Sequence, residues 1–180
     1  MRSILLLITI FLSCTLSCRA EGASAPRAIE GIIDLTDWRF KEDGPVNLKG
    51  DYEFYWREQL DTQDIYRKSQ EEIEYQLVPG VWNGVTIDGE KIDGDGYATY
   101  RVNILIGTLE PFALKLPDFG TSYRLLVDGV ELLKVGEPGI DADSTTPAYY
   151  PAIVRFTPTS PRVEVILQIS NFDHRLGGPW

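Results

Sequence analysis

Cysteine is nearly missing from this chain. Its two copies, Cys14 and Cys18, both fall within the first twenty residues, so the rest of the chain has neither a disulfide nor thiolate chemistry. Histidine occurs once, as His174. A zinc site normally draws on several His or Cys ligands, and the mature chain offers one His with at most an acylated Cys. A nucleophile–base–orienter triad would have to run through His174, and no Gly-x-Ser-x-Gly elbow accompanies it. Neither standard phosphate-cradling glycine loop is present. Basic residues are the minority, 17 against 27 acidic. That balance argues against a nucleic-acid partner and leaves no basic patch for an anionic membrane surface. With so many carboxylates some pair is always available, so a glycosidase pair cannot be inferred from their number. No enzyme is expected, and no cofactor.

At 180 residues the chain suits one domain with a sizeable core. The N-terminus is an export signal, 1–20. Arg2 supplies a positive start, Ile4 to Leu16 an apolar run too short to span a bilayer, and Cys18-Arg19-Ala20 a small-x-small cleavage site before Glu21. A lipoprotein signal ending in Leu16-Ser17-Cys18 or Leu12-Ser13-Cys14 is the alternative, although neither places leucine three residues before the cysteine. Residues 21–30 read as a linker of small residues, and 31–180 as the folded domain.

Within the domain, β patterns dominate. Ile32, Ile33 and Leu35 lead into Trp38 and Phe40 as an edge strand and its turn. Tyr52, Phe54 and Trp56 alternate with Asp51, Glu53 and Tyr55, an aromatic stripe read first as core and second as a sugar platform. Residues 57–74 are rich in Gln, Glu and Asp, with a short helix expected around 61–69 and a solvated charged face. Val78 to Gly84 is an extended segment between turns. Residues 84–96 read as a flexible acidic loop whose Asp88, Asp93 and Asp95 could join a structural calcium site, without the spacing of an EF-hand.

From Gly96 onward the alternation is continuous. Strands are expected over 100–106, 112–116, 123–127, 130–135 and 153–156, with Asp128-Gly129 as a hairpin turn and a long polar loop from Gly136 to Thr146. The last strand, Arg162 to Ser170, places Val163, Val165, Leu167 and Ile169 on one face. Glu164, Gln168 and Ser170 lie opposite, as in a half-buried strand, with Ile166 the single exception. It delivers Asn171-Phe172-Asp173-His174-Arg175 and then Gly177-Gly178. Such density at a strand end reads either as a hydrogen-bonded structural corner or as a ligand site. Many short strands and hardly any helix indicate an all-β, antiparallel β-sandwich.

The ordered motifs Leu48-x-Gly50-x-Tyr52-x-Phe54, Val78-Pro79-Gly80-x-Trp82, Gly96-Tyr97-Ala98-Thr99-Tyr100-Arg101, Tyr123-Arg124-x-x-Val127-Asp128-Gly129 and Ile169-Ser170-Asn171 resemble jelly-roll, galactose-binding-like domains. Among these is the sugar-binding domain that begins family 2 glycoside hydrolases. Asp37-Trp38, the 52–56 stripe, Gly136-Glu137-Pro138-Gly139 and the 171–178 block resemble more closely the exported sensory domain of bacterial seven-transmembrane receptors with diverse intracellular signalling modules. The resemblance implies an extracytoplasmic sensor for a small-molecule or carbohydrate ligand. It also implies a membrane tether through a downstream transmembrane region, to which the lipoprotein alternative at the N-terminus adds a lipid anchor. The chain departs from that plan by ending at Trp180 without a helix bundle, and a truncated receptor is the favoured expectation over a stand-alone exported relative. A structural or protein-interaction sandwich and an accessory sugar-binding domain of a secreted hydrolase are the competing readings.

Sugars present apolar C–H faces and many hydroxyls, so a site pairs a ring with planar polar groups. The candidates are Trp82, Tyr97, Tyr149 and Tyr150 with Arg124, Asn171, Asp173, His174 and Arg175. For Trp82 and Tyr97, core packing beside a turn is the competing role.

Overall fold

The computed structural model describes residues 25–69 and 73–180. Residues 1–20, read as an export signal, and both cysteines lie outside the described residues. The elements are β1 (Ile32–Leu35), α1 (Phe40–Asp43), β2 (Gly50–Trp56), α2 (Thr62–Tyr66), β3 (Glu74–Val78), β4 (Thr86–Ile87), β5 (Glu90–Lys91), β6 (Gly96–Ile106), β7 (Phe112–Leu116), β8 (Ser122–Val127), β9 (Val130–Val135), β10 (Ala152–Phe156) and β11 (Arg162–Asn171).

One seven-stranded sheet carries the fold, in the order β3-β2-β6-β11-β8-β9 with β1 also on β6. The two long strands form its spine, running antiparallel from Gly96 opposite Asn171 to Leu105 opposite Arg162. β2 covers 98–101 of β6 and β1 continues along 103–106, the latter in parallel. The inner face carries the apolar alternation: Tyr52 and Phe54, Ala98 to Ile106, Val163 to Ile169, and Tyr123 to Val127 all join one core cluster. Against it lies a thinner layer made of the β7–β10 pair, α1 and the extended residues 45–49. The result is an all-β sandwich of the galactose-binding-like type.

The outer face of the sheet is closed as well, which corrects the half-buried reading of β11. Ile166 is fully enclosed and packs with Tyr55, Ile65 and Leu126 under the crossover that contains α2. Burying such a side chain contributes about 1.5–3 kcal/mol, so the one residue that broke the alternation anchors a second, smaller core. Asp61 caps α2, its side chain accepting from the Asp64 amide while Asp64 reaches back to the Asp61 amide. The polar partners of this face are internal. Arg101 donates to Glu53 at 3.0 Å and to Glu164 at 2.7 Å, Gln168 donates to the Leu60 carbonyl at 3.0 Å, and Ser170 to that of Gly139 at 2.6 Å. Buried polar groups demand such partners, and here they tie the crossover to the sheet.

Three further elements differ from expectation. Glu74–Val78 is a strand on the edge of β2, between the 57–74 region read as helix or loop and the extended segment read from Val78. Residues 40–43 form a short helix. The acidic stretch is a β4–β5 hairpin turning at Asp88 (φ 51°) and Gly89 (φ 83°), the left-handed pair that a tight Asp-Gly turn requires.

Candidate functional site

The 171–178 block is built as a corner. Asn171, fully buried at the end of β11, donates through Nδ2 to the carbonyls of Gly94 (2.7 Å), His174 (2.6 Å) and Leu176 (3.2 Å), and accepts from the His174 amide at 3.1 Å. Trp82, also fully buried, donates its indole N–H to the same Gly94 carbonyl at 3.0 Å. Asn83 completes the clasp, donating to the Arg175 carbonyl at 2.9 Å and accepting from the Gly177 amide at 3.0 Å. Gly177 is required here, since a Cβ would collide with the Trp82 indole. His174 accepts the Leu176 amide on Nδ1 at 3.2 Å, and its ring lies 5.5 Å from that of Trp180. The side chains of Asp173 and Arg175 are exposed, and the two form no ion pair with each other among the described residues.

The remaining candidates separate from this corner. Tyr97 is half-buried on β6, and its carbonyl accepts from the Arg57 amide at 2.8 Å. Arg124 sits on the outer face of β8, its Nε 2.9 Å from Glu131 as an ion pair and its Nη1 3.5 Å from Gln168. Tyr150, exposed, reaches the carbonyl of Lys134, the residue opposite Arg124, at 3.5 Å. Tyr149 beside it is 55% exposed. Thus Trp82, Asn171, His174 and Arg175 converge, while Arg124 and Tyr150 lie away from them, on either side of Lys134.

What the corner positions is the acidic stretch. With the Gly94 carbonyl held by two donors, Asp93 and Asp95 are fixed on either side of it. The β4–β5 hairpin projects from the same anchor, closed by the Gly84 amide on the Ile92 carbonyl at 2.8 Å and the Ile92 amide on the Val85 carbonyl at 2.9 Å. Facing it is the end of the aromatic stripe. Trp56 stacks near Phe54 (6.1 Å) and meets Trp82 edge-on at 5.2 Å. It lies across Gly96, where any side chain would run into its ring. Arg57 follows in a left-handed conformation (φ 55°) and holds its guanidinium 5.9 Å from the Trp56 ring centroid.

Between these walls is a polar cleft of about 700 Å³, bounded by Trp56, Arg57, Asp88, Glu90, Asp93 and Asp95, together with Lys91. It offers a half-buried ring, a forked donor and several carboxylate acceptors within one concavity, the combination that fixes a polyhydroxylated ligand. Trp56 and Arg57 fall outside the candidates picked from sequence, because the stripe pattern gave Trp56 the same weight as the buried Tyr52 and Phe54. The Asp-Gly dipeptide at 88–89 was the available signal that the opposite wall is ordered. Among the described residues no three His, Cys, Asp or Glu side chains gather in a way that could hold a metal ion, and no helix is long and apolar enough to cross a membrane.

No family model matches the sequence, and no curated protein matches it. Similar folds occur among solved structures. A beta-glucuronidase from an uncultured Clostridium species is 16% identical with a TM-score of 0.50, over 71% of this chain and 22% of that one. A Faecalibacterium prausnitzii beta-glucuronidase is 11% identical with a TM-score of 0.50, over 70% of this chain and 20% of that one. A GH2 beta-galacturonidase from Eisenbergiella tayi is 15% identical with a TM-score of 0.49, over 72% and 21%. The matched region thus spans only about a fifth of those proteins' length, and at these identities the likeness is one of fold.

Proposed function

We propose that this chain is the ligand-binding module of an exported sensor, and that its ligand is a carbohydrate or similar polyhydroxylated molecule held in the cleft between Trp56–Arg57 and the 86–95 hairpin. The observation that carries this is the cleft itself: a ring, a guanidinium and carboxylates on opposite walls, both walls braced from behind by Trp82 and Asn171. In this arrangement a sugar would lay one apolar face on Trp56 while its hydroxyls donate to Asp88, Asp93 and Asp95 and accept from Arg57. The likeness in fold to parts of sugar-processing enzymes is consistent with such a ligand, and binding here requires no catalysis. The exported location rests on the signal read at residues 1–20, and the membrane tether and the signalling role on the sequence resemblance of the 37–38, 52–56, 136–139 and 171–178 motifs.

The test is titration of the purified protein against an immobilised glycan panel, followed by calorimetry on any hit. Binding that weakens at least about tenfold in Arg57→Ala and Asp88→Asn is expected, about 1.4 kcal/mol for each substitution. Both sites are solvent-facing, and asparagine tolerates the left-handed backbone at 88. Glycan binding that neither variant alters would remove the cleft from the function. No binding to any glycan would favour the protein-interaction reading.

A further inference from the structure

The second layer of the sandwich is incomplete. Among the described residues β7 is paired on one side only, with β10, and no backbone hydrogen bond joins its other edge to the extended residues 45–49 that lie across from it. The gap between these segments is a long slot, two adjoining cavities of about 260 and 700 Å³. Leu48 and Leu114 form its walls. Its floor reaches Leu125, Val165 and Leu167, core side chains of the main sheet that are 0%, 5% and 6% exposed.

From this slot we infer that a partner protein docks by adding a β-strand to the free edge of β7, and that the strand alternates apolar and acidic residues. Three observations select this occupant. An unpaired strand edge offers main-chain donors and acceptors that only another extended backbone satisfies in series. On β7 the alternation turns Phe112, Leu114 and Leu116 inward and leaves Ala113 and Lys115 exposed. An added strand in register must therefore send alternate apolar side chains into the slot and the others outward beside Lys115. Finally, among the described residues the only charged side chains lining the larger cavity are Lys49 and Lys115, one on each wall, in a protein of formal net charge −10. Neither lysine forms an ion pair among the described residues. Glu110, at the far end of the smaller cavity, is the one acidic lining residue among those described. Lysine on an edge also repels indiscriminate pairing, so the same two residues that attract acidic strands reject basic ones. This surface is separate from the polar cleft and stands whether or not the cleft binds a sugar.

The probe is a fluorescein-labelled peptide, Val-Glu-Val-Glu-Val-Glu-Val with blocked ends, titrated into the purified protein by polarisation with hydrogen exchange in parallel. Saturable binding and slower exchange of amides within 112–116, by at least about tenfold, are expected. The double variant K49E/K115E should weaken binding by about tenfold through two reversed cross-strand pairs and should instead take up the corresponding Val-Lys peptide. K115E alone, at an exposed position, serves if the double variant melts early. Absence of peptide binding, binding that leaves the 112–116 amides unprotected, or equal affinity for the Val-Lys peptide in the unsubstituted protein would each overturn the inference. So would displacement of the peptide by dodecanoate, which would mark the slot as an aliphatic-ligand site. Protection of the same amides by raising protein concentration alone would also do so, since it would make the occupant a second copy of this chain.

Discussion

Arg101 donates from Nε to Glu164 Oε1 at 2.7 Å, in a pair whose side chains are 7% and 8% exposed. The same guanidinium reaches Glu53 through Nη1 at 3.0 Å, and Tyr66 lies over it at 5.4 Å. Burial alone would lower the pKa of Arg101, but Glu53 first and Glu164 next outweigh it and hold the group above its ordinary value. Thr62 and Tyr55 then donate to the two carboxylates, so every charge in the triad is bonded.

Breaking such a buried set by removing one partner costs about 3–5 kcal/mol, because the remaining charges stay enclosed. Arg101→Met should therefore lower unfolding free energy by that amount in urea, with Thr62→Ala costing about 1 kcal/mol. A loss below about 1 kcal/mol for Arg101→Met would show that the crossover does not depend on the triad.

Tyr123 provides the opposite case. Its ring is fully buried against Phe119 at 5.1 Å, and its hydroxyl has no hydrogen-bond partner among the described residues. An unpaired buried hydroxyl costs about 1–3 kcal/mol, so Tyr123→Phe should leave stability unchanged or raise it at neutral pH. A clear loss on urea titration would mean that the hydroxyl is satisfied in solution.

The same residue sets an alkaline limit. Burial first, then Tyr150 and Asp118, push Tyr123 up to about 12, and burial raises Tyr52, Tyr55 and Tyr100 as well. An unfolded tyrosine ionises near about 10. With the folded pKa raised, this stabilisation is complete below about pH 10 and is lost as pH climbs through the folded value. The melting temperature should fall steeply above about pH 10, and less steeply in Tyr123→Phe. Parallel curves would remove Tyr123 as a contributor.

Asn171 donates to three carbonyls from one nitrogen. Asn171→Asp replaces that donor with an acceptor at a site of 0% exposure, and the penalty should reach about 3 kcal/mol or more. The affinity of any ligand in the Trp56–Asp88 cleft should fall with it, because the Gly94 anchor loosens. Full stability and undiminished affinity would refute the bracing role.

The sensor reading predicts a native gene product far above the 20.3 kDa of this chain that resists salt and alkaline extraction, detected with an antibody against residues 31–180. A soluble product near that mass would defeat the receptor assignment. A small product released only by detergent would indicate a lipid anchor.

The sequence by itself determined the strands whose two faces differ. Phe112–Leu116 and Val130–Val135 were legible to the residue, and the Asp128-Gly129 hairpin followed from its dipeptide, because period-two alternation and turn chemistry are local properties. The order of such strands with scarcely any helix was enough for an all-β sandwich. Tertiary structure decided whatever depended on distant partners. Glu164 and Gln168 look like a solvent face in sequence, and are buried because α2 and Leu60 arrive from a hundred residues away. Trp56 and Tyr52 share one stripe, yet only Trp56 meets the polar cleft, since the wall opposite it comes from the 86–95 hairpin. A side chain's partner across the fold is set by packing and register, and no pattern within its own strand carries that information.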